Sequence, residues 1–276
     1  MNLIKYFILF TFFFFFSCKK EKVDLSQIQN LNGNKITALG HAGMGIASQY
    51  PINSFESIMS ALSLGTAGVE VDVQMTKDSV LVLFHDKNLE ESTTLEGKIA
   101  DKNWEDIRDG IYKNPPFAEY RIISLAQLFE NIENRKELFF SLDFKLHEPD
   151  HPEELILRYW NALIKIIDQY DVAENVFIES KKKPYLEKLK MLRPELKLLF
   201  LESFEKGFEY AKEKELFGLV MPKHFISKEQ VQEAHAAGLR ISLFDLKTKN
   251  DNLDAIELSP DFLQTDRVKH LVNILN

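Results

Sequence analysis

The chain has one cysteine, Cys18, so no internal disulfide can form. With no cysteine cluster to supply thiolate ligands, a structural zinc site is disfavoured. Positive charge is scarce: 34 lysines and arginines face 42 acids, for a formal net charge of -8. That balance argues against a broad nucleic-acid surface and against a polybasic grip on anionic lipid. No glycine-rich dinucleotide fingerprint follows the first strand pattern, and no phosphate-loop motif occurs. The sequence shows no internal repeat, and no low-complexity segment beyond a phenylalanine-rich start.

The 276 residues, 45% of them hydrophobic, suffice for one large core of the size common in single-domain α/β barrels. Residues 1–17, MNLIKYFILFTFFFFFS, carry Lys5 as their only charge and read as a secretory signal. Their apolar run is shorter than the roughly 20 residues that span a bilayer. Cys18 stands where that run stops, ahead of Lys19-Lys20-Glu21-Lys22, and the junction is similar to a bacterial lipoprotein box. The expectation is an exported protein acylated at Cys18, with residues 18–34 as a polar tether and 35–276 as the folded domain. Its address would be the bacterial cell envelope, periplasmic or cell-surface. Several acyl chains, at about 0.8 kcal/mol per buried CH₂, would anchor it stably. Loss of Lys5 with the signal would take the net charge from -8 to -9.

Short apolar runs then alternate with amphipathic stretches. Strands are predicted at 36–41, 68–74, 138–145, 175–180, 196–202, 217–221, 240–245 and 262–265. Helical patterns fill intervals such as 54–64, 152–170 and 227–237, the last opening on Ser227 and stopping at Gly238. Alternation of this kind implies parallel strands with helical crossovers, and about eight units make a TIM-type (β/α)8 barrel the economical fold. An open doubly wound sheet is the alternative. One interval breaks the rhythm. Between Met75 and Val80 there is too little chain for a helix, so a β-hairpin excursion follows the second strand. A two-residue Lys77-Asp78 loop would set Glu70 opposite His85.

Chemistry gathers at the strand ends: His41 in GHAG, Glu70 and Asp72 in VEVDV, His85 in LFHD, Asp143 and Lys145 in LDFK. Side chains alternate along a strand, so Glu70 and Asp72 share one face while Val69, Val71 and Val73 take the other. Two like charges buried in a valine-rich strand cost several kcal/mol unless something positive lies between them. With Asp143 from a neighbouring strand they make an oxygen-rich pocket suited to Mg²⁺ or Ca²⁺. His41 and His85 could act as general acid and base, and Lys145 could offset developing negative charge. Taken singly, each of these residues has a bland reading as cap, packing or surface group. Their convergence at strand ends of one barrel favours a site. His147, His151 and His224 read as loop histidines, His235 and His270 as surface helix residues, Trp104 and Trp160 as packing groups, and Lys181-Lys182-Lys183 as a solvated face.

As a set, these motifs resemble the glycerophosphodiester phosphodiesterase family. Its His-Arg-Gly start, Glu-x-Asp strand, His-Asp strand and Glu-x-Lys strand are matched by His41-Ala42-Gly43, Glu70-Val71-Asp72, His85-Asp86 and Asp143-Phe144-Lys145. The Thr76-Lys77-Asp78 hairpin, Ser180 and Thr265-Asp266 match as well, so the likeness covers about residues 36–274. The resemblance implies a (β/α) barrel that cleaves glycerophosphodiesters to an alcohol and glycerol phosphate with a divalent cation. By position, His41 and His85 would be the acid/base pair, Glu70, Asp72 and Asp143 the metal ligands, and Lys145 a phosphate support. The family's usual arginine is Ala42 here, the glutamate of its Pro-Glu-Asn-Thr box is Ile52, and its third metal glutamate is Asp143. Lys223 or Lys247 could replace the missing positive charge. Two other readings stay open: a related phospholipase-like barrel acting on another phosphodiester, and a lipoprotein that binds a phosphodiester or glycan without turnover. The partners expected are a small phosphodiester and a membrane, with no nucleic acid.

Overall fold

Val69, Val71 and Val73 alternate with Glu70 and Asp72, and all eight residues of the resulting strand, β2 (Gly68–Met75), are buried. A strand buried on both faces belongs in the interior of a parallel sheet, covered outside by helices. A computed structural model describes residues 22–113, 119–148 and 151–276. The expected signal segment and Cys18 lie outside those residues. Besides β2, the strands are β1 (Thr37–Gly40), β3 (Leu81–Leu83), β4 (Phe139–Phe144), β5 (Val176–Ser180), β6 (Lys197–Leu201), β7 (Gly218–Pro222), β8 (Arg240–Leu246) and β9 (Phe262–Thr265). Eight of them pair in parallel around a closed ring, β1-β2-β4-β5-β6-β7-β8-β9, with β1 returning to pair with β9. β3 hangs antiparallel from β2, outside the ring. The barrel and its hairpin excursion are therefore both present.

The helices between strands start and stop where their sequences dictate. α1 (Phe55–Ser63) is capped by Ser54, which accepts from the Ser57 amide. α2 (Trp104–Ile107) and α3 (Leu125–Asn131) belong to the excursion and its return. α4 (Glu153–Tyr170) buries Tyr159, Trp160, Leu163 and Ile167 at helical spacing. α5 (Lys183–Leu192), α6 (Phe204–Glu213), α7 (Lys228–Ala236), α8 (Lys249–Glu257) and α9 (Val268–Leu275) complete the cover. At the hairpin the register differs from the expectation by one residue. Met75 pairs with Leu81 and Val73 with Leu83, so Asp72, not Glu70, is the residue beside the end of β3. The cause is a three-residue loop, Lys77-Asp78-Ser79, in which Ser79 takes φ +69, the left-handed position such loops require. Asp78 fixes it by accepting from Thr76 Oγ1 at 2.6 Å and the Trp104 amide at 3.0 Å.

The barrel interior is layered. Its floor is aromatic: Phe139 stacks on Phe177 at 5.4 Å, Phe177 on Phe217 at 5.3 Å, and Phe262 closes against all three. Polar residues lie one step higher on the same faces. The N-terminal end is sealed from below by residues 23–34, the later part of the expected tether. Asn30 donates to Pro260 O and Asn32 to Asp261 O, Arg240 holds Leu31 and Asn32, and the Val23 amide reaches Ile274. Asp261, fully buried, accepts from the Leu31 and Ile241 amides and lies 2.8 Å from His235 Nε2. His235 is thus a nearly buried partner of an internal carboxylate, not the surface residue expected from its helical position. Burying a carboxylate there demands several donors at once, and the imidazole is one of them.

Candidate active site

β1 delivers His41 to the barrel mouth, its amide tied to Thr265 O at 3.2 Å. The chain then bends sharply through Ala42 at φ +46, Gly43 at φ +91 and Gly45 at φ +80. A Cβ on Gly45 would lie 2.4 Å from Asp266 Cα, so the close approach needs glycine. The bend brings His41 Nδ1 to 2.7 Å from Asp266 Oδ1 and leaves Nε2 at 3.9 Å from Glu70 Oε2. It also points the Ala42 amide at Glu70 Oε2, at 2.9 Å. Burial would lower the His41 pKa, but the Asp266 hydrogen bond and the charges of Glu70, Asp266 and Asp72 overcome it and raise the ring to about 9.

Glu70, Asp72 and Asp143 converge. One carboxylate oxygen from each lies within 4.8 Å of the others, and all three residues are buried. Asn53, held at φ +62, clamps Asp72 from both sides: its Nδ2 donates to Oδ2 at 2.6 Å and its Oδ1 accepts the Asp72 amide at 2.9 Å. Lys145 Nζ sits 2.9 Å from Asp72 Oδ1 and 2.5 Å from Asp143 Oδ2. Burial and the neighbouring Asp72 push the Glu70 carboxyl well above its usual range. Burial would raise Asp72 too, yet Lys145, His85 and Asn53 hold it down. Burial also raises Asp143, despite Lys145. When ionised, these three carboxylates and Asp266 outnumber the Lys145 ammonium and the His41 imidazolium, which leaves negative charge uncompensated. Those clustered oxygens fit a hard divalent cation, with Glu70, Asp72 and Asp143 as its holders.

His85 is half exposed and stands at the edge of the mouth, Nδ1 3.0 Å from Asp86 Oδ1. The turn that carries it is pinned by buried Gln74, whose Nε2 donates to Phe84 O at 2.9 Å and Asp86 O at 2.8 Å. The one-residue change in register removes the direct Glu70–His85 pairing but keeps both groups on one cavity of about 260 Å³, which His41, Asp143, Lys145 and Lys247 also line. Beneath lies Glu179, accepting from Ser141 Oγ and from Gln264 Nε2. Burial and Asp143 push its carboxyl up to about 8.

The profile of the Glycerophosphoryl diester phosphodiesterase family matches residues 44–270. The chain belongs to that family. It is accordingly a phosphoric diester hydrolase. A glycerophosphodiester phosphodiesterase from Caldanaerobacter subterraneus subsp. tengcongensis is 30% identical over 242 residues, covering 85% of this chain and 96% of that protein. One from Bacillus altitudinis is 24% identical over 84% of this chain and 96% of its own length. Among solved structures, a phosphodiesterase from Oleispira antarctica in complex with the product sn-glycerol-3-phosphate shares the fold with TM-score 0.75 at 21% identity, covering 88% of this chain and 98% of that one.

All six residues singled out by sequence, His41, Glu70, Asp72, His85, Asp143 and Lys145, meet at this family mouth. Four groups around them carried no assigned role in the sequence reading: Asp266 on His41, Asn53 on Asp72, Gln74 beneath His85, and Glu179 below the carboxylates. Asp266 and Asn53 stand in motifs that were legible, but nothing local to them reveals their distant partners. Of the two cations proposed as replacements at the Ala42 position, Lys223 is engaged by Asp251 and Asp254 and is not among the residues lining the mouth cavity. Lys247 lines the mouth, 2.5 Å from Asp245 Oδ1. His224 is a rim residue 3.6 Å from Asp245. His147 stays close enough to His85 and Lys145 that burial and their charges lower its pKa.

Proposed function

We propose that this chain hydrolyses glycerophosphodiesters to an alcohol and glycerol phosphate, using a divalent cation held by Glu70, Asp72 and Asp143. The observation that carries the reading is three carboxylate oxygens within 4.8 Å of one another, beneath two imidazoles and one ammonium. A bound Mg²⁺ or Ca²⁺ would neutralise charge on the phosphate oxygens. His41 is oriented through Nδ1 by Asp266, and His85 through Nδ1 by Asp86, so each ring turns its Nε2 to proton transfer. One takes a proton from the attacking hydroxyl, and the other gives one to the departing alcohol oxygen. Lys145, kept charged by Asp143, Asp72 and Glu70 against the effect of burial, supports the anionic phosphate. The Oleispira neighbour's product ligand supports the same product here.

The test is phosphate-ester analysis of glycerophosphocholine and glycerophosphoethanolamine after incubation, with and without chelator. Glycerol phosphate should form only with cation present, and His41→Ala and His85→Ala should each lower kcat at least about 100-fold. Wild-type turnover in both variants would sink the acid/base assignment. A cyclic phosphate seen by phosphorus NMR would identify the substrate's own hydroxyl, rather than water, as the nucleophile.

Export and acylation at Cys18 complete the reading, supported by the signal-like residues 1–17. The five-residue step from Cys18 to Val23 spans at most about 18 Å. Val23 binds the C-terminal turn of α9, at the barrel end opposite the mouth. An anchored protein would thus turn its mouth away from the membrane, toward water-soluble diesters. Intact mass of the protein from its own host should show acyl chains on Cys18, and an unmodified thiol would reject the anchor.

A further inference from the structure

A phosphodiester is an anion, yet the positive groups deepest in the mouth already have partners. Lys145 lies between Asp72 and Asp143, and His41 is bound to Asp266. The residue after His41 is Ala42, which adds no charge. Among the described residues, the one other lysine or arginine on this cavity is Lys247. In the ring, β8 lies four strands from β4 in either direction, so Lys247 at its end stands across the barrel from Asp143 and Lys145. A local irregularity shapes that wall. Between the Leu243–Leu263 and Leu246–Thr265 pairs, Phe244 and Asp245 oppose the single residue Gln264. A bulge of this kind re-aims side chains. Phe244 and Asp245 thereby both line the cavity, where a regular strand would send one of them outward. Asp245 takes φ +65 at the bulge. Its Oδ1 holds Lys247 Nζ at 2.5 Å, and its Oδ2 faces His224 Nδ1 at 3.6 Å. The main chain of Lys247 is pinned as well, its carbonyl accepting from Arg267 Nε at 2.7 Å. An ammonium has three donors, and the Lys247 side chain is 60% exposed, so it can take an incoming anion while Asp245 still holds it.

We propose that Lys247 is a phosphate-binding residue whose ammonium takes a non-bridging oxygen of the diester from the β8 wall, and that Asp245 is the positioning residue that keeps it over the mouth. The inference rests on the hydrolase reading above. A diester shares one negative charge between two non-bridging oxygens. Lys145 and the three carboxylates address it from the β2–β4 side, so the oxygen turned toward β8 needs a donor there. Phosphorus keeps both of these oxygens throughout the reaction. A contact to one of them is made in the ground state and the transition state alike, and its loss should appear in KM more than in kcat.

The experiment joins steady-state kinetics on glycerophosphocholine and glycerophosphoethanolamine, with saturating Mg²⁺ or Ca²⁺, to the rise in Tm produced by glycerol phosphate. Lys247→Met should raise KM about tenfold while kcat stays within about twofold, and should lose most of the Tm rise. Lys247→Arg should restore both. Asp245→Asn keeps the shape without the charge and should raise KM about threefold, but should change nothing further when added to Lys247→Met. Lys223→Met removes a lysine outside the cavity and should leave KM and the Tm rise at wild-type values. If the wild type cleaves neither diester, the hydrolase reading falls and the Tm rise alone judges the phosphate site: a rise absent from the wild type, or kept in Lys247→Met, overturns it. If the wild type turns over and Lys247→Met keeps the wild-type KM or the wild-type Tm rise, this inference alone is overturned. Equal losses in Lys247→Met and Lys223→Met would overturn it too, because they would report overall charge and not a site.

Discussion

The contact between His41 and Asp266 determines how the mouth is charged before any substrate arrives. Asp266 is 5% exposed, and its Oδ1 lies 2.7 Å from His41 Nδ1. Burial pulls the imidazole toward neutrality, while Asp266, Glu70 and Asp72 carry it from 6.5 to about 9. That rise corresponds to roughly 3 kcal/mol in favour of the imidazolium. Asp266→Asn keeps the shape and one hydrogen bond but removes the charge. A charge-assisted bond is about twice as strong as a neutral one, so the variant should lose about 1–1.5 kcal/mol and its midpoint should fall by about one pH unit. The measurement is an NMR titration of the His41 ring in chelator-treated protein. The sign for stability follows from linkage. The folded midpoint lies above the unfolded 6.5, so the His41 contribution is complete below 6.5 and is lost as pH rises through about 9. The variant should therefore lose stability mainly on the acid side. A wild-type His41 that titrates near 6.5, or a midpoint unmoved in Asp266→Asn, would refute this account of the site.

Glu179 reaches about 8 from an ordinary 4.5, so the folded chain holds a proton that the unfolded chain releases across that interval, and cation-free stability should fall as pH rises through it. Divalent cation at 100 times its Kd should restore about 2.7 kcal/mol, raising Tm by roughly 5–10 °C in wild type and not in Glu70→Gln/Asp72→Asn. A cation-insensitive wild-type melt would exclude the proposed ligand set. Lys145→Met leaves Asp72 and Asp143 without their shared ammonium and should cost about 3 kcal/mol in urea unfolding of chelator-treated protein, with much of the loss recovered on adding cation. Asp261→Ala removes the acceptor for two amides and His235 at the far end of the barrel, so it should cost about 3 kcal/mol while kcat stays at the wild-type level.

Much of this was legible in the sequence because barrel strands impose simple rules. Valines alternating with acids in 69–73 announce a strand with one apolar face and one functional face, and that is how Glu70 and Asp72 lie. The strand-helix rhythm carries the barrel, and Ser54 and Ser227 mark helix starts through local chemistry. The hairpin shows where local reasoning stops. The short connection was clear, but a loop of two or three residues differs by one left-handed residue, and only the φ of Ser79 decides it. Asp266 and His41 are 225 residues apart, and Gln264 and Glu179 are 85 apart. Contacts at such separations depend on ring closure between β1 and β9, which no local pattern encodes. His235 misleads for the same reason: its helix reads as exposed, and its carboxylate partner arrives from the turn before β9.

The layering of the interior explains why these carboxylates can be held so close. The phenylalanine floor excludes water from below, so charges above it are poorly screened and act on one another strongly. Sealing by residues 23–34 keeps the far end closed. Each acid near the floor is compensated by neutral donors: Glu179 by Ser141 and Gln264, and Asp72 by Asn53. The formal charges Lys145 and His41 stand nearer the solvent. Neutral donors orient a carboxylate without supplying a countercharge, so an ionised acid below the mouth still attracts a cation above it. Above about pH 8, where Glu179 is ionised, replacing it by Gln would leave its two hydrogen-bond partners in place and subtract only charge. If the charge from below helps hold the cation, Glu179→Gln should weaken cation binding severalfold at about pH 9, as read by the shift in Tm with cation concentration, while leaving the fold intact. An unchanged affinity would mean that the three carboxylates at the mouth hold the ion alone.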